Sequence, residues 1–451
     1  MGNTVGAQPK WTPSTTSEYL AELREEGAPV PRRLLWSGRF VKTLECVSGA
    51  SLSGSPSCEA IARVYLKRDT RTEHSELQRS LSLTSRARSR LLAHSSSDPP
   101  HTLPAQRVAD CPRAVYLLRQ KTHQTLASRI GSRPFPSTSE KRWLAYQLLR
   151  AVQQAHSCGI AHGDIKAENC ALTSWSWLLL IDFATHKPAF LPRDNPSEFS
   201  FFFDTGSRRR CYVAPERFLS SDSDAWFQET SDSSSASTSE EQPSGPVRIQ
   251  PTTFAADVFS AGCVIAELFL NGVALFDLSS LLTYSAEHHS ESLELVDQID
   301  EPDCRELVRS MIALNPEMRP SAYECLQTQL GRLFPRFFET ELHPLMGRAL
   351  QMSPNERIAS FLDRHLSLCR YMCADKGWYH HVNQFLVDTT ANVHMIEQVL
   401  KSDSALALPC GHWQWYRPKN VNDTSSGDQR SKSSMSNGVA MMAALYCDIS
   451  M

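Results

Sequence analysis

The chain has 451 residues, of which 41% are hydrophobic and 21% charged, with a formal net charge of −3. That length holds more than one domain with a sizeable core, and the near-neutral balance gives no reason to expect nucleic acid as a partner. The 13 cysteines are scattered singly with no secretory segment ahead of them, the usage of reduced thiols in a cytosolic protein. The longest apolar stretch, FSAGCVIAELFL (Phe259–Leu270), carries Glu267 and is too short for a bilayer, so it reads as a core helix.

In chain order, the first segment (1–28) opens MGNTVG. Removal of Met1 would expose Gly2 as N-myristoylation requires; Gly6 stands where Ser or Thr is usual, so a plain unmodified start stands beside that reading. One acyl chain binds membranes only marginally, and the basic residues nearby are dispersed, so a second attachment would have to be a partner protein. SEYLAELREE (Ser17–Glu26) predicts a short amphipathic helix. LLWSGRFVKTLECV and EAIARVYL alternate as half-buried strands do, RTEHSELQRSLSLTSRARSRLLAH predicts a helix, Ser95 to Pro104 a loop, and AVYLLRQ (Ala114–Gln120) another strand.

The character then turns helical. STSEKRWLAYQLLRAVQQAHSCG places Ser137 three residues ahead of Glu140, a capping-box spacing, and Gly159 is a natural stop. WSWLLLID (Trp175–Asp182) predicts a buried strand that delivers an acid at its end. Residues 220–246 are acidic, serine-rich and low in complexity, the composition of an insert. Helices follow from FAADVFSAGCVIAELFL through CRELVRSMIAL to about Val399. A linker-like tract (423–438) and the start of one more apolar helix, NGVAMMAALYC, suggest a truncated sequence. A strand-rich first part and a helical second part make the fold class α+β.

Between the two helical signals lies HGDIKAEN (His162–Asn169). Phosphoryl transfer needs an acid near the acceptor hydroxyl, metal ligands on the phosphates and positive charge over the developing oxyanions. Asp164 fits the first need and Lys166 the transferred phosphate. Asn169 and Asp182 fit a magnesium ion, the order being D-x-K-x-x-N, a strand, then D-F.

HGDIKAEN, IDFA, CYVAPERF and DVFSAGCVIAE together resemble the eukaryotic protein-kinase fold. More narrowly, MGN at the start, TSWSWLLLIDFATHKPAFLPRDNPSEFSFFFDT, RRRCYVAPERF and FSAGCVIAELF resemble the regulatory protein-kinase subunits of class III phosphatidylinositol 3-kinase complexes, from vacuolar protein sorting. The resemblance implies a two-lobed kinase domain over 29–334, with 335–451 as the beginning of helical repeats. It also implies ATP (with GTP as the other candidate nucleotide) and Mg2+, and Asp164 as proton acceptor with Asn169 and Asp182 on the metal. Glu216 and Arg319 would form a structural ion pair, and Asp257 would brace the catalytic loop. The implied partners are the lipid-kinase catalytic subunit and its complex members, on endosomal and autophagic membranes, with N-myristoyl Gly2 as the anchor.

Several residues depart from the kinase pattern. Gly163 stands where many kinases carry the arginine that pairs with an activation-loop phosphate, so a phosphorylation switch is lost while the base is kept. Ala184 replaces the glycine of D-F-G. The phosphate-covering loop offers only Gly38, with Trp36 close by, and Arg63 stands for the usual third-strand lysine. Arginine keeps the charge but its planar fork differs in reach; Lys67, on the same strand face, is ~13 Å further on. The partner acid on the following helix is Glu73 or Glu76, and the spacing does not choose. Cys369, Cys373, His380, His381, Cys410 and His412 fit no compact zinc module, and Arg208–Arg210 reads as pairing with acids of its own segment. Two functions follow: a serine/threonine protein kinase of low turnover, or a kinase-shaped scaffold that binds nucleotide and anchors a lipid kinase.

Overall fold

The computed structural model describes residues 19–20, 22–23, 29–37, 41–48, 59–67, 71–94, 98–173, 176–184, 187–204, 209–219, 254–287 and 291–350. Gly2, Gly6, Gly38, the 220–246 insert, the Cys369–His412 group and the helices expected beyond 350 lie outside the described residues, as do the side chains of Glu73 and Glu76. The chain divides into two compact units, and every element below begins in the first, which contains Met1–Gly347.

The first part forms a five-stranded antiparallel sheet. Strands β1 (Pro29–Ser37), β2 (Val41–Ser48) and β3 (Glu59–Leu66) are joined, across β3, by β6 (Ala114–Gln120) and β5 (Arg107–Asp110), in the order β1-β2-β3-β6-β5. Period-2 alternation gives the sheet two distinct faces. Leu44, Cys46, Ala60, Ala62, Val64, Tyr116 and Leu118 form one apolar layer, which Leu20 and Leu23 cover. The predicted N-terminal amphipathic segment therefore shows its purpose in two leucines rather than in a described helix. Tyr65, Val41 and Val115 line the opposite face, and Arg63 shares it. Strand β1 departs from the half-buried reading: it begins at Pro29, five residues before Leu34, and as an edge strand it leaves Val30, Leu34 and Leu35 exposed. Helix α1 (Arg71–His94) follows, and Leu91 and Ala87 are its buried positions near the end.

The segment read as a Ser/Pro loop contains a strand, β4 (Thr102–Leu103), which runs parallel to β9 (Leu178–Ile181). With β8 (Cys170–Leu172) and β7 (Gln124–Thr125) it makes a second sheet, ordered β4-β9-β8-β7. That sheet carries the catalytic loop before β8 and presents Asp182 directly after β9. The strand foreseen from Trp175 starts later, at Leu178, because Trp177 is committed to packing: its indole is fully buried and Nε1–H donates to the Pro100 carbonyl at 2.9 Å.

Helices build the remainder. After α2 (Leu126–Gly131) comes α3 (Thr138–Ser157), whose buried face includes Trp143, Leu144, Leu148 and Val152. Short α4 (Pro196–Phe202) precedes α5 (Phe254–Phe269), the expected core helix, buried almost all round. The chain continues through α6 (Leu278–Glu287), α7 (Glu291–Asp297), α8 (Pro302–Met311) and α9 (Ala322–Gln329) to a π-turn (Phe338–Leu342) and α10 (His343–Ala349). The start of α10 is latched to the second sheet by a histidine pair. His101 Nδ1–H donates to the Leu178 carbonyl (2.9 Å), so its Nε2 accepts from His343 Nε2–H at 2.8 Å, and Trp177 stacks on His101 at 4.2 Å. Burial pushes both imidazoles toward the neutral form, His101 well below its usual value and His343 to about 3.

Candidate active site

The catalytic loop is assembled from below. Asp257, buried in the first turn of α5, accepts from the backbone N–H of His162 (2.7 Å) and of Gly163 (2.8 Å), and pairs with His156 Nε2 at 3.0 Å. Gly163 sits at φ +76, in the left-handed region, where an L side chain costs about 1–2 kcal/mol. Glycine suits the bend that lets both amides point at one carboxylate. His162 closes the same turn: its Nε2–H donates to the Ile181 carbonyl (2.8 Å), which leaves Nδ1 to accept from Asp164 N–H (3.2 Å). Burial lowers its pKa, in keeping with that neutral tautomer.

The sequence-predicted loop residues converge. Asn169 Nδ2 donates to Asp164 twice, to the backbone oxygen at 2.8 Å and to Oδ2 at 2.9 Å. Lys166 Nζ lies 3.4 Å from Asp164 Oδ2. A third group, which the sequence reading did not single out, reaches closer: Lys187 Nζ is 2.6 Å from the same oxygen. Burial of the Asp164 carboxyl would raise its pKa, but Lys166 and Lys187 outweigh that and hold it well below the usual aspartate range. Asp164 is therefore ionised at any working pH.

Asp182 faces this loop from the end of β9, at φ +61. Two guanidiniums share its Oδ1, Arg63 Nη1 and Arg119 Nε, each at 3.3 Å. Against burial, Arg63 and then Arg119 keep this carboxylate ionised far below its ordinary pKa. Arg119 was also not anticipated, although the sheet register carries the signal. Arg63 pairs with Leu117, and Arg119 lies two residues beyond, hence on the same face. Lys67, by contrast, is paired with Asp110 at 2.5 Å at the far end of the strand. The two arginines and Asp182 line a cavity together with Arg88, Leu117 and Phe183. Ala184 keeps its backbone in register, donating to the His162 carbonyl at 2.9 Å, and Phe183 packs on the His162 ring at 4.5 Å.

Mg2+ takes hard oxygen ligands, one or two from protein and the rest from phosphate and water. Asn169 spends its amide nitrogen on Asp164, which leaves its Oδ1 for a cation, and Asp182 offers a carboxylate on the facing side. Among the described residues no group of three or more His, Cys, Asp or Glu side chains could hold a metal by itself. This donor set fits magnesium brought in with a triphosphate.

The scaffold residues stand as follows. Arg319 meets Glu216 in a bidentate pair (2.7 and 2.9 Å) and also donates to the carbonyls of Ala313, Leu314 and Ala255. Contrary to the sequence expectation, Arg210 pairs with no acid of its own segment among the described residues, and Arg208 lies outside them. Its partner is the buried Glu267 of α5, whose other oxygen accepts from Tyr212 Oη at 2.5 Å. A fully buried carboxylate needs both partners, and no acid of the activation segment lies as deep. Arg209 donates its backbone N–H to Asp204 at 3.2 Å.

Residues 89–330 match the protein kinase domain family. The chain is 40% identical over 332 residues to the serine/threonine-protein kinase VPS15 of Arabidopsis thaliana, covering 74% of this chain and 20% of that protein. It is 35% identical over 326 residues to VPS15 of Saccharomyces cerevisiae, covering 72% of this chain and 20% of that one. A more distant relative, the mitogen-activated protein kinase spk1 of Schizosaccharomyces pombe, is 24% identical over 242 residues, 47% of this chain and 56% of the relative. The chain thus spans about a fifth of the length of the VPS15 proteins it matches. By sequence and by the geometry of its cleft, this chain belongs to the protein kinase family, and within it is similar to the VPS15 serine/threonine-protein kinases.

Proposed function

We propose that this chain transfers the γ-phosphate of ATP to serine or threonine hydroxyls of protein, at low turnover. The observation that carries the reading is the convergence of Asp164, Lys166 and Asn169 opposite Asp182. The acceptor oxygen forms its bond to the γ-phosphorus while the bond to the β–γ bridging oxygen breaks. The hydroxyl proton passes to the Asp164 carboxylate and the nucleoside diphosphate leaves with the bridging oxygen. Lys166 sits where it neutralises the transferred phosphoryl oxygens, and Arg63 takes the nucleotide phosphates that a third-strand lysine would hold. Magnesium, held by Asn169 and Asp182, supplies charge neutralisation of the phosphates when bound.

Within the longer protein that its relatives represent, the chain acts as the regulatory kinase subunit of a class III phosphatidylinositol 3-kinase complex. There it binds the lipid-kinase catalytic subunit at endosomal and autophagic membranes, with N-myristoyl Gly2 as one attachment. The resemblance of its motifs to that group supports this assignment. A second reading, a scaffold that binds nucleotide without turning it over, is favoured by the two guanidiniums on the Asp182 oxygen that would otherwise meet the metal.

The two readings separate in one experiment. Radiolabel transfer from ATP, with GTP compared, is measured for the purified chain and for Asp164→Ala, alongside nucleotide titration with and without magnesium. The kinase reading expects transfer to fall at least ~100-fold in the variant, the scale of general-base catalysis, with nucleotide binding retained. Equal incorporation by the two proteins defeats it, and binding without any transfer leaves the scaffold.

A further inference from the structure

In a kinase whose activation loop is set by phosphorylation, the phosphate supplies an anion and arginines around it supply the cations. Here the polarity of the fastening is reversed. The cations belong to the activation segment and its end, and each has an acceptor in the catalytic loop. Lys187, on the segment, places its ammonium 2.6 Å from Asp164 Oδ2. Arg217, buried directly after the Glu216 position, spends three donors on backbone carbonyls: Nη1 on Gly163 (2.9 Å), Nη2 on Pro188 (2.8 Å) and Nε on Ala189 (2.7 Å). The first acceptor is in the catalytic loop and the other two are in the segment, so one planar guanidinium ties them together. Carbonyl acceptors need no modification to be present.

Both cations rest on one ring. Lys187 Nζ lies 4.7 Å and Arg217 Cζ 4.9 Å from the centroid of Phe203, itself buried at the end of α4. A cation over a desolvated aromatic face is held by the ring quadrupole as well as by its anion. The segment is pinned once more where β10 (Leu191–Pro192) pairs in parallel with β11 (Phe218–Leu219), the strand that begins next to Arg217. Phe199 packs on Phe218 at 6.2 Å.

We propose that Lys187 and Arg217, packed on Phe203, are positioning residues that hold the activation segment on the catalytic loop without phosphorylation. In this arrangement Lys187 fixes Asp164 Oδ2 and turns Oδ1 to the acceptor hydroxyl. The orienting role rests on the kinase reading above; the fastening role does not. Lys187 is faced by Asp164 and Lys166 from the catalytic loop, by Arg63 from β3, and by Arg217 across the Phe203 ring. Burial lowers its pKa to about 8, against the pull of Asp164. The clamp therefore weakens as pH rises through about 8, when the ammonium loses its charge.

The test uses the full chain, with hydrogen exchange of the 187–204 and 209–219 amides as a readout independent of turnover, and α5 amides as the folding control. Protein treated with a phosphatase keeps its protection. Lys187→Met loses it over 187–204 by about tenfold or more while α5 is unchanged, and Lys187→Arg restores it. If transfer is detected, Lys187→Met lowers kcat by about 10- to 100-fold, the cost of a misplaced reacting group, with the nucleotide KM unchanged. The fall in rate above pH ~8 then disappears in Lys187→Arg, because arginine stays charged. Protection lost on phosphatase treatment, or unaltered in Lys187→Met, overturns the proposal whether or not the protein is an active kinase. A KM effect in place of the kcat effect overturns the orienting role alone.

Discussion

The two halves of the cleft are built on different terms. On the large-lobe side the catalytic loop is fixed from several elements at once: Asp257 from α5, Ile181 from β9, and Arg217 from beyond the activation segment. On the small-lobe side the contact with Asp182 is ionic, two guanidiniums meeting one carboxylate oxygen. Backbone hydrogen bonds to a buried carboxylate are directional and survive the arrival of a ligand. Ion pairs in an open cleft exchange partners with whatever anion or cation enters. One side is therefore set before nucleotide binds, and the other is set by it.

Removing the brace of the rigid half should produce the largest effect. Asp257→Ala leaves the buried N–H groups of His162 and Gly163, and His156 Nε2, without their acceptor. Urea denaturation is expected to show a loss of about 3–5 kcal/mol, with Asp257→Asn intermediate because one amide oxygen remains. A loss below ~1 kcal/mol for the alanine variant would mean the loop is held elsewhere, and the contrast drawn above would fail.

The exchangeable half gives a smaller and more specific outcome. Arg119→Leu frees half of the claim on Asp182 Oδ1, so magnesium meets less competition there. The magnesium concentration that half-saturates nucleotide binding should fall by about fivefold, equivalent to ~1 kcal/mol. Should nucleotide affinity drop instead with the magnesium requirement unchanged, Arg119 is a phosphate ligand and does not compete with the metal. Isothermal titration over a magnesium series distinguishes the two.

Acid sensitivity sharpens the comparison further, because the groups titrate in separate windows. His101, His162 and His343 are held neutral in the folded chain, with pKa values below the usual 6.5. They bind protons only on unfolding, so their contribution is complete above pH ~6.5 and is lost as pH falls below it. Each contributes up to about 1.4 kcal/mol per pH unit. Asp164, Asp182 and Asp257 have lowered pKa values and matter only below the ordinary aspartate range near 4. The slope of stability between pH 6.5 and 5 should therefore fall by about a third in His343→Gln, while the steeper loss below pH 4 is unchanged. An unaltered upper slope would show that the histidine latch is not closed in solution.

What the sequence disclosed follows the same division. Asp164, Lys166 and Asn169 were legible because they sit in one short, fixed spacing whose backbone geometry is local, whereas Asp257 and the Glu216–Arg319 pair, with partners about 100 residues away, came only with the family resemblance. The α1 helix and the β3 and β6 strands were legible from periodicity. Lys187, Arg119 and Arg217 were not, since each acts through a partner far away in the chain and a single basic residue has no pattern of its own. Strand β4 was hidden for a related reason: two residues in a Ser/Pro-rich stretch show no alternation, and only pairing with β9 makes them a strand.

Helix caps show how finely such spacing can be trusted. Ser-x-x-Glu occurs at Ser137/Glu140 and again at Ser321/Glu324, and only the first drew attention in the sequence. At Ser137 half of the box forms: its hydroxyl accepts from Glu140 N–H at 3.2 Å, but the Glu140 carboxylate turns away to Arg129, at 2.8 and 2.6 Å. At Ser321 both halves close, with Glu324 accepting from Ser321 N–H at 2.8 Å. A nearby guanidinium out-competes one backbone amide, because a bidentate charged pair outweighs a single hydrogen bond. Glu140→Gln should accordingly lose the Arg129 pair yet gain the reciprocal cap, for a net change under ~0.5 kcal/mol, whereas Glu324→Ala should lower the unfolding temperature. Thermal unfolding of the two variants side by side measures the difference; equal losses would show that Glu140 contributes through Arg129 alone.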